Sequence, residues 1–175
     1  MNERKIQTIT AATLDALLAQ ARQSPRLRAI QLLHDGDWEH AHRMLNALAP
    51  GTYVRPHRHP NQFNGEGFIL LRGRLAVLIF DEAGALDHAA SCVLSLTDGC
   101  FGMDISPGVW HSLVALEESV IYEIKGQPAG GYVQDSDKDF APWSPAEGEH
   151  GALEFVRKLE AFADELADEL ITASA

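Results

Sequence analysis

The sequence has few cysteines, few basic residues and no long apolar run, and each shortage excludes a class of protein. Its 175 residues include two cysteines, Cys92 and Cys100, which are too few for a disulfide scaffold. No stretch approaches the ~20 apolar residues that a membrane-spanning helix needs. Against 25 Asp and Glu there are only 14 Lys and Arg, so the net charge is −11. We therefore expect no nucleic-acid partner and no membrane partner, because both repel an acidic chain.

The rest of the composition is that of an ordinary globular domain. Hydrophobic residues make up 46% of the chain and charged residues 22%, a balance that excludes a mostly disordered chain or a coiled-coil rod. The first ten residues carry Glu3, Arg4 and Lys5 with no apolar run behind them, unlike a secretory signal. We therefore expect a cytoplasmic protein with reduced thiols.

Apolar spacing and turn residues divide the chain into three parts. In the N-terminal segment, residues 1–26, leucines recur at helical spacing and predict a helix over Thr10–Gln23. Residues 27–126 hold many short apolar or alternating runs, separated by Gly, Pro and Asn, which predict a β-sandwich or small barrel. Residues 127–175 comprise a Pro- and Gly-rich loop and a second helix over 152–171. The apolar stripe of this helix, from Leu153 to Leu170, either packs on the barrel or supports a dimer.

Three histidines and one glutamate stand at positions that suit a metal site. His57 and His59 are two residues apart in a strand-like run, so both imidazoles face one side. Glu66 opens the next apolar run, and His111 follows the turn at Pro107-Gly108. Three neutral imidazoles and one carboxylate would hold one divalent transition metal ion (Fe, Mn, Zn, Ni or Co) with positions left open for water or substrate.

These residues resemble the two sequence motifs of the cupin superfamily. The first motif is matched by Gly51, His57, His59, Glu66 and Gly73. The second is matched in part by Gly102, Pro107, Gly108 and His111. The gap of six residues between His59 and Glu66 is longer than the family's usual spacing, which leaves Gln62 as the alternative fourth ligand, although the distance from Glu66 to Gly73 favours Glu66.

A closer resemblance is to the WbuC-like cupin fold metalloproteins, a bacterial family linked to surface-polysaccharide gene clusters. It is carried by several segments between about residues 24 and 160, among them HRMLNALAPGTYVRPHRH (42–59), PGVWHSLVAL (107–116) and DKDFAPWSP (137–145). The resemblance implies a mainly β protein: a cupin-type antiparallel β-barrel (double-stranded β-helix or jelly roll) with flanking N- and C-terminal α-helices. It also implies a bound metal ion and, by analogy with other cupins, a homodimer.

Three further side chains are candidates for substrate binding. Arg55 shares strand parity with His57 and His59, and Arg72 shares parity with Glu66. Both arginines are therefore predicted to point into the metal cavity, where they would clamp a carboxylate or phosphate; the alternative is that they form ion pairs at the rim. Tyr53 has the same parity, and it either lines the pocket or packs in the core.

Two other groups of residues can be interpreted either as metal sites or as ordinary surface turns and loops. The first group consists of His34, His40 and His42 with Asp35, Asp37 and Glu39. It is either a second metal site or a solvated acidic turn, and the sequence favours the turn. The second group, Asp135, Asp137 and Asp139, is spaced like the opening of a calcium loop but lacks the glycine and glutamate of such a loop. We predict an exposed loop there.

The metal site suggests two classes of function. The first is a metal-dependent enzyme acting on a small anionic metabolite, with a sugar or sugar-nucleotide derivative of surface-polysaccharide metabolism favoured by the family resemblance. Isomerisation or epimerisation and dioxygenation suit the ligand set equally well. The second is a non-catalytic, metal-dependent sensor or binding protein for a small-molecule ligand.

Overall fold

Two five-stranded antiparallel sheets form the body of the protein. The computed structural model describes residues 6–128 and 130–173, with side chains as far as 169. The strands are β1 (Arg28–Leu32), β2 (Ala41–Leu48), β3 (His57–Arg58), β4 (Glu66–Arg72), β5 (Arg74–Phe80), β6 (Leu86–Ser95), β7 (Gly102–Ile105), β8 (Trp110–Ala115), β9 (Ser119–Gly126) and β10 (Asp139–Phe140). One sheet has the order β1-β2-β9-β4-β7 and the other the order β10-β3-β8-β5-β6.

Three helices accompany the sheets in the described part of the chain, and the two long ones cover the outer faces. They are α1 (Ala11–Gln23), the short α2 (Gln134–Asp137) and α3 (Ala152–Ala173). Helix α1 begins with a capping box, in which the Thr10 and Thr13 hydroxyls each accept a hydrogen bond from the other residue's backbone N–H. It packs on the first sheet, and α3 packs on the second. Both long helices lie where apolar spacing predicts them; the side chain of Leu170, at the end of the predicted stripe, lies outside the described residues.

Three hydrophobic clusters correspond to the interfaces between these layers. One lies between α1 and the first sheet, and a second lies between the second sheet and α3. The third fills one end of the space between the sheets, where Phe68, Leu75 and Ile121 are almost fully buried. The predicted mainly β jelly-roll fold with flanking helices is confirmed. The described strands pair only within each sheet, so the sheets face each other as a sandwich and do not close into one hydrogen-bonded barrel.

The hairpin between β4 and β5 departs from regular strand geometry in two ways. A single residue, Gly73, joins the strands with φ +82°, and a Cβ atom there would lie 2.4 Å from the carbonyl oxygen of Glu118. Just before it, the register of β4 with β9 shifts between Leu70 and Arg72. Such a bulge interrupts the alternation of side chains, and it decides where Arg72 points.

The two cysteines are free thiols near each other, Cys92 in β6 and Cys100 in the loop that follows this strand. The Sγ atoms of Cys92 and Cys100 lie 3.9 Å apart, and both residues are half-buried. Burial, together with the neighbouring Cys100, raises the pKa of Cys92 to about 12, so this thiol is protonated at neutral pH.

Among the described residues, no helix combines the length and the apolar character that crossing a membrane requires.

Candidate metal centre

Four predicted ligands converge at one end of the space between the sheets. His57 and His111 are direct partners in the β3–β8 register, and Glu66 opens β4 in the opposite sheet. With His59, they form a group in which one ligand atom of each residue lies within 4.8 Å of those of the others. All four side chains are buried. The structure therefore brings together residues that are up to 54 positions apart in the sequence.

Backbone carbonyls orient all three imidazoles. The Nδ1-to-oxygen distances are 2.9 Å from His57 to Arg55, 2.7 Å from His59 to Asp137 and 3.0 Å from His111 to Val109. A carbonyl oxygen can only accept, so in the neutral rings each Nδ1 carries the proton. Each Nε2 then presents its lone pair to the site, which is the usual arrangement for histidines that bind a metal ion.

The atoms that face one another at the centre are all acceptors. Nε2 of His59 and Nε2 of His111 lie 3.3 and 3.1 Å from Oε2 of Glu66. These three atoms are buried and have no hydrogen-bond partner among the described residues. Lone pairs that face each other away from water are unfavourable unless a cation lies between them. The donor set therefore fits a divalent transition metal ion.

The protonation states also suit a metal ion. Burial, with His111 and Lys138 nearby, holds the pKa of His57 well below its usual value, so this ring is neutral. Burial opposes the ionisation of Glu66, but the adjoining His111 and His59 rings outweigh it and hold the pKa of that carboxyl well below its usual value. The cluster thus offers neutral imidazole and an ionised carboxylate at neutral pH, the forms that bind metals.

The alternative ligand Gln62 lies outside the cluster. It is exposed, on the turn that spans residues 60–65 between β3 and β4. Glu66, by contrast, is buried at the start of β4 with the other three residues. The long gap in the motif is therefore a surface turn, and the carboxylate of the cluster comes from Glu66.

A cavity of about 410 Å³ opens from this cluster between the two sheets. Its wall includes five cationic side chains, Arg26, Arg28, Arg55, Lys125 and Lys138. It also includes the acidic residues Asp37, Glu123, Asp137 and Glu147. A space of this size suits one small ligand.

Asp137 forms a buried ion pair that the sequence did not indicate. Its carboxylate oxygens lie 2.7 and 2.6 Å from Nζ of Lys125, and the two side chains are 2% and 7% exposed. The same residue's backbone carbonyl holds Nδ1 of His59. The prediction of an exposed loop is wrong for Asp137, because the short helix α2 turns this side chain inward onto β9.

Glu123 is a second carboxyl group beside the metal cluster. It is buried on β9 and accepts a hydrogen bond from the side-chain amide of Asn46. Burial and the adjacent charge of Glu66 raise the pKa of Glu123 well above its usual value, which favours the protonated carboxyl. The sequence could have indicated this burial, because Glu123 and the buried Ile121 are two positions apart in β9 and therefore face the same side.

Arg55 lines the cavity and is held by the loop that follows β10. Its guanidinium donates to Oγ of Ser144 at 3.1 Å and to the carbonyl oxygens of Ser144 and Ala141 at 2.9 and 3.2 Å. It also lies over the ring of Phe140, 5.1 Å from the centroid. All of these partners are neutral, so the arginine keeps an unbalanced positive charge at the cavity wall.

Arg72 and Tyr53 point away from the cavity. Arg72 forms an ion pair with Asp15 of α1 on the outer face of the first sheet, because the bulge between Leu70 and Arg72 breaks the parity with Glu66. Of the two positions considered for Arg72, an ion pair therefore fits the structure better than a place in the metal cavity. The Tyr53 hydroxyl donates to the carbonyl oxygen of Pro145 at 2.8 Å. Its ring packs in the outer core against α3.

Two facing antiparallel sheets with a buried cluster of three histidines and one glutamate between them give the protein a jelly-roll fold with a candidate metal centre. A family model described as a domain of unknown function (DUF6016) matches residues 9–92, somewhat less than half of the chain. Comparison with curated proteins gave no significant match.

Solved structures share the fold at low sequence identity. Protein SO0799 from Shewanella oneidensis is 13% identical, with a TM-score of 0.50 over 78% of this chain and 84% of that one. A cupin superfamily protein from Desulfitobacterium hafniense is 13% identical, with a TM-score of 0.44 over 57% and 76%. Oxalate decarboxylase from Bacillus subtilis is 19% identical, with a TM-score of 0.44 over 58% of this chain. The match spans about a quarter, 24%, of that longer protein.

Proposed function

We propose that the protein is a metal-dependent enzyme that acts on a small anionic metabolite in the cavity beside His57, His59, Glu66 and His111. The observation that carries this proposal is the set of buried, unpartnered acceptor atoms that face the same cavity as the carboxyl group of Glu123. A divalent transition metal ion held by these residues would supply Lewis acidity to a substrate oxygen and, if it is Fe or Mn, redox chemistry as well.

The charge of the cavity wall favours an anionic ligand. Lys125 is neutralised by Asp137, and Arg26 and Arg28 share the carboxylate of Glu147. Lys138 is half-buried at the wall, and no carboxylate of the described residues lies within salt-bridge distance of it. Arg55 also has only neutral partners. Two uncompensated cations around one cavity would attract and orient a carboxylate or phosphate.

Glu123 favours proton-transfer chemistry among the reactions that the ligand set allows. It lines the cavity beside Glu66, and its raised pKa favours the protonated form. Such a carboxylic acid can give a proton to a bound substrate and, once ionised, take one back from a neighbouring atom. Isomerisation and epimerisation of a sugar require this pair of steps. A sugar or sugar-nucleotide substrate is supported by the sequence resemblance to the WbuC-like proteins.

Hydrogen exchange during turnover tests the proposal. Metal-loaded protein is incubated in deuterium oxide with a panel of sugar phosphates and nucleoside-diphosphate sugars, and deuterium in carbon-bound positions is measured by NMR. We expect exchange with at least one member of the panel and its loss in Glu123→Gln, which keeps the shape of the side chain. The matched control is Gln62→Ala, outside the cavity, which should retain full exchange.

Two other results would replace this proposal with a different one. Substrate-dependent oxygen consumption without exchange would make the protein a dioxygenase. Tight binding with neither exchange nor oxygen consumption would make it a metal-dependent sensor or binding protein.

Light scattering on the same purified protein tests the predicted homodimer.

A further inference from the structure

A second group of potential metal ligands lies in the wall of the same cavity. His34 follows β1, His42 lies in β2, and Asp37 is in the loop between these strands. One ligand atom of each lies within 4.8 Å of those of the other two. The His34 and His42 rings stack with their centroids 4.0 Å apart and their planes inclined by 16°. The ligand atoms are therefore close enough to share one cation, and the two rings would tilt out of this stack to direct both lone pairs at it.

Both histidines are buried, which is not what a solvated acidic turn would show. His34 is 8% exposed and His42 is 4% exposed. Nε2 of His42 has no hydrogen-bond partner among the described residues. A buried ring nitrogen without a partner is unfavourable unless a ligand reaches it. This nitrogen is the second observation, besides proximity, that points to a bound cation.

The backbone of the β1–β2 hairpin holds the other ring in place. Nδ1 of His34 lies 3.0 Å from the carbonyl oxygen of Arg43 and 3.1 Å from its amide nitrogen. The Arg43 N–H donates to Nδ1 in one tautomer of His34, and binding of a cation at Nε2 requires the other tautomer, in which Nδ1–H donates to the Arg43 carbonyl. The hairpin backbone thus fixes the orientation of the His34 ring through Nδ1 and leaves Nε2 on the opposite edge of the ring.

The charges around the group fit a cation as well. Asp37 is exposed, and its carboxylate forms no ion pair with the described residues. Glu39 is instead paired with Arg43, so it does not compete for the site. The nearest ammonium group, that of Lys125, is neutralised by Asp137. Burial and the neighbouring His34 lower the pKa of His42, so this ring is neutral at neutral pH.

We infer that His34, Asp37 and His42 bind a second divalent transition metal ion, separate from the ion at the first cluster. Two imidazoles and one carboxylate suit Zn, Ni, Co or Cu, with further positions open to solvent and to the cavity. In the sheet register, His42 of β2 lies beside Lys125 of β9, and Lys125 lies beside Glu66 of β4. The strands that carry the two sites are therefore about 10 Å apart. This spacing is too wide for a bridging oxygen, but it allows one ligand to span both sites.

Metal stoichiometry tests the inference. Chelator-treated protein is titrated with Zn²⁺ by calorimetry, and bound zinc is checked by elemental analysis after desalting. We expect two Zn²⁺ per chain in the wild type, one in His42→Ala and one in His57→Ala. His40→Ala is the matched control, because His40 is exposed on the same segment outside the group, and it should bind two.

A milder variant protects the test against loss of folding. Asp37→Asn changes one exposed side chain, and we expect it to weaken the second site at least tenfold while the first site is unaffected. Circular dichroism and thermal unfolding of each variant show that it is folded. One Zn²⁺ in the wild type, retained in His42→Ala and lost in His57→Ala, would overturn the second site and leave the first intact. Two Zn²⁺ in folded His42→Ala would overturn it as well.

Discussion

Oε2 of Glu66 lies 3.1 Å from Nε2 of His111, and this contact joins the two sheets across the interior of the protein. Glu66 belongs to β4 of one sheet and His111 to β8 of the other. Both atoms are buried acceptors. A metal ion bound between them would therefore connect the sheets and stabilise the folded chain, since it binds the folded state and not the unfolded one.

Loss of a ligand should remove both the metal ion and this stabilisation. We expect His57→Ala and His111→Ala to have the fold of the wild type but to lose the metal of the first cluster. Saturating Zn²⁺ should raise the Tm of each variant less than it raises the Tm of the wild type. In the wild type, a metal concentration of 100 Kd should add about 2.7 kcal/mol to the free energy of unfolding. Elemental analysis and thermal unfolding measure these effects, and exposed His150→Ala is the control. Full metal content in both variants would show that the ligand assignment is wrong.

The choice of the fourth ligand is tested by an isosteric change. Glu66→Gln keeps the size of the buried side chain but removes the negative charge, so we expect its Zn²⁺ affinity at the first cluster to fall at least tenfold. Gln62→Ala should leave affinity unchanged, since Gln62 is exposed on the turn before β4. Calorimetry of the two variants decides, and the opposite order would move the fourth ligand to Gln62.

The bulge in β4 changes the expected role of one arginine. Arg72 pairs with Asp15 on the outer face, whereas Lys138 lines the cavity. We expect Lys138→Ala to weaken the binding of inorganic phosphate to the metal-loaded protein about tenfold. Arg72→Ala should leave phosphate binding unchanged and lower stability by about 0.2–1 kcal/mol, the usual contribution of an exposed ion pair. Equal loss of phosphate binding in both variants would contradict this placement.

The buried, neutral His57 makes the metal-free protein sensitive to acid. Its pKa is well below the ordinary value because of burial, so the unfolded chain binds a proton more readily than the folded one. The stabilisation from this group is present above pH ~6.5 and is lost as the pH falls toward the folded-state pKa, at up to about 1.4 kcal/mol per pH unit. Urea unfolding between pH 7.5 and 5.5 should show the decline, and His57→Gln should reduce its slope. An unchanged slope would assign the effect to other groups.

The turn at Gly73 combines a left-handed backbone with close packing. Gly73 and Gly99 have φ of +82° and +85°, but a Cβ at Gly99 would meet nothing within 4 Å. Gly99→Ala should therefore cost only about 1–2 kcal/mol for the backbone conformation. Gly73→Ala should cost about 1–3 kcal/mol more, because its Cβ would overlap the carbonyl oxygen of Glu118. Urea unfolding measures both values, and equal values would show that this carbonyl moves freely.

Local patterns in the sequence predict most of the fold and the first metal cluster. Helical spacing locates α1 and α3, and turn residues separate the short strands between them. Alternation along the strands places His57 and His59 on one side, because that periodicity is a property of the extended backbone itself. The same reasoning fails at Arg72, where a bulge that no local pattern announces shifts the parity.

The sequence alone determined the helices, the β character of residues 27–126 and the set of three imidazoles and a carboxylate. Only the tertiary structure placed Asp137 against Lys125, raised the pKa of Glu123 by burying it beside Glu66, and brought His34 and His42 into a buried stack. The physical reason is that burial and charge pairing depend on segments that meet in space. The Asp137 carbonyl, for instance, orients His59 from 78 residues away. The spacing of side chains along a strand, by contrast, is set by the backbone within a few residues.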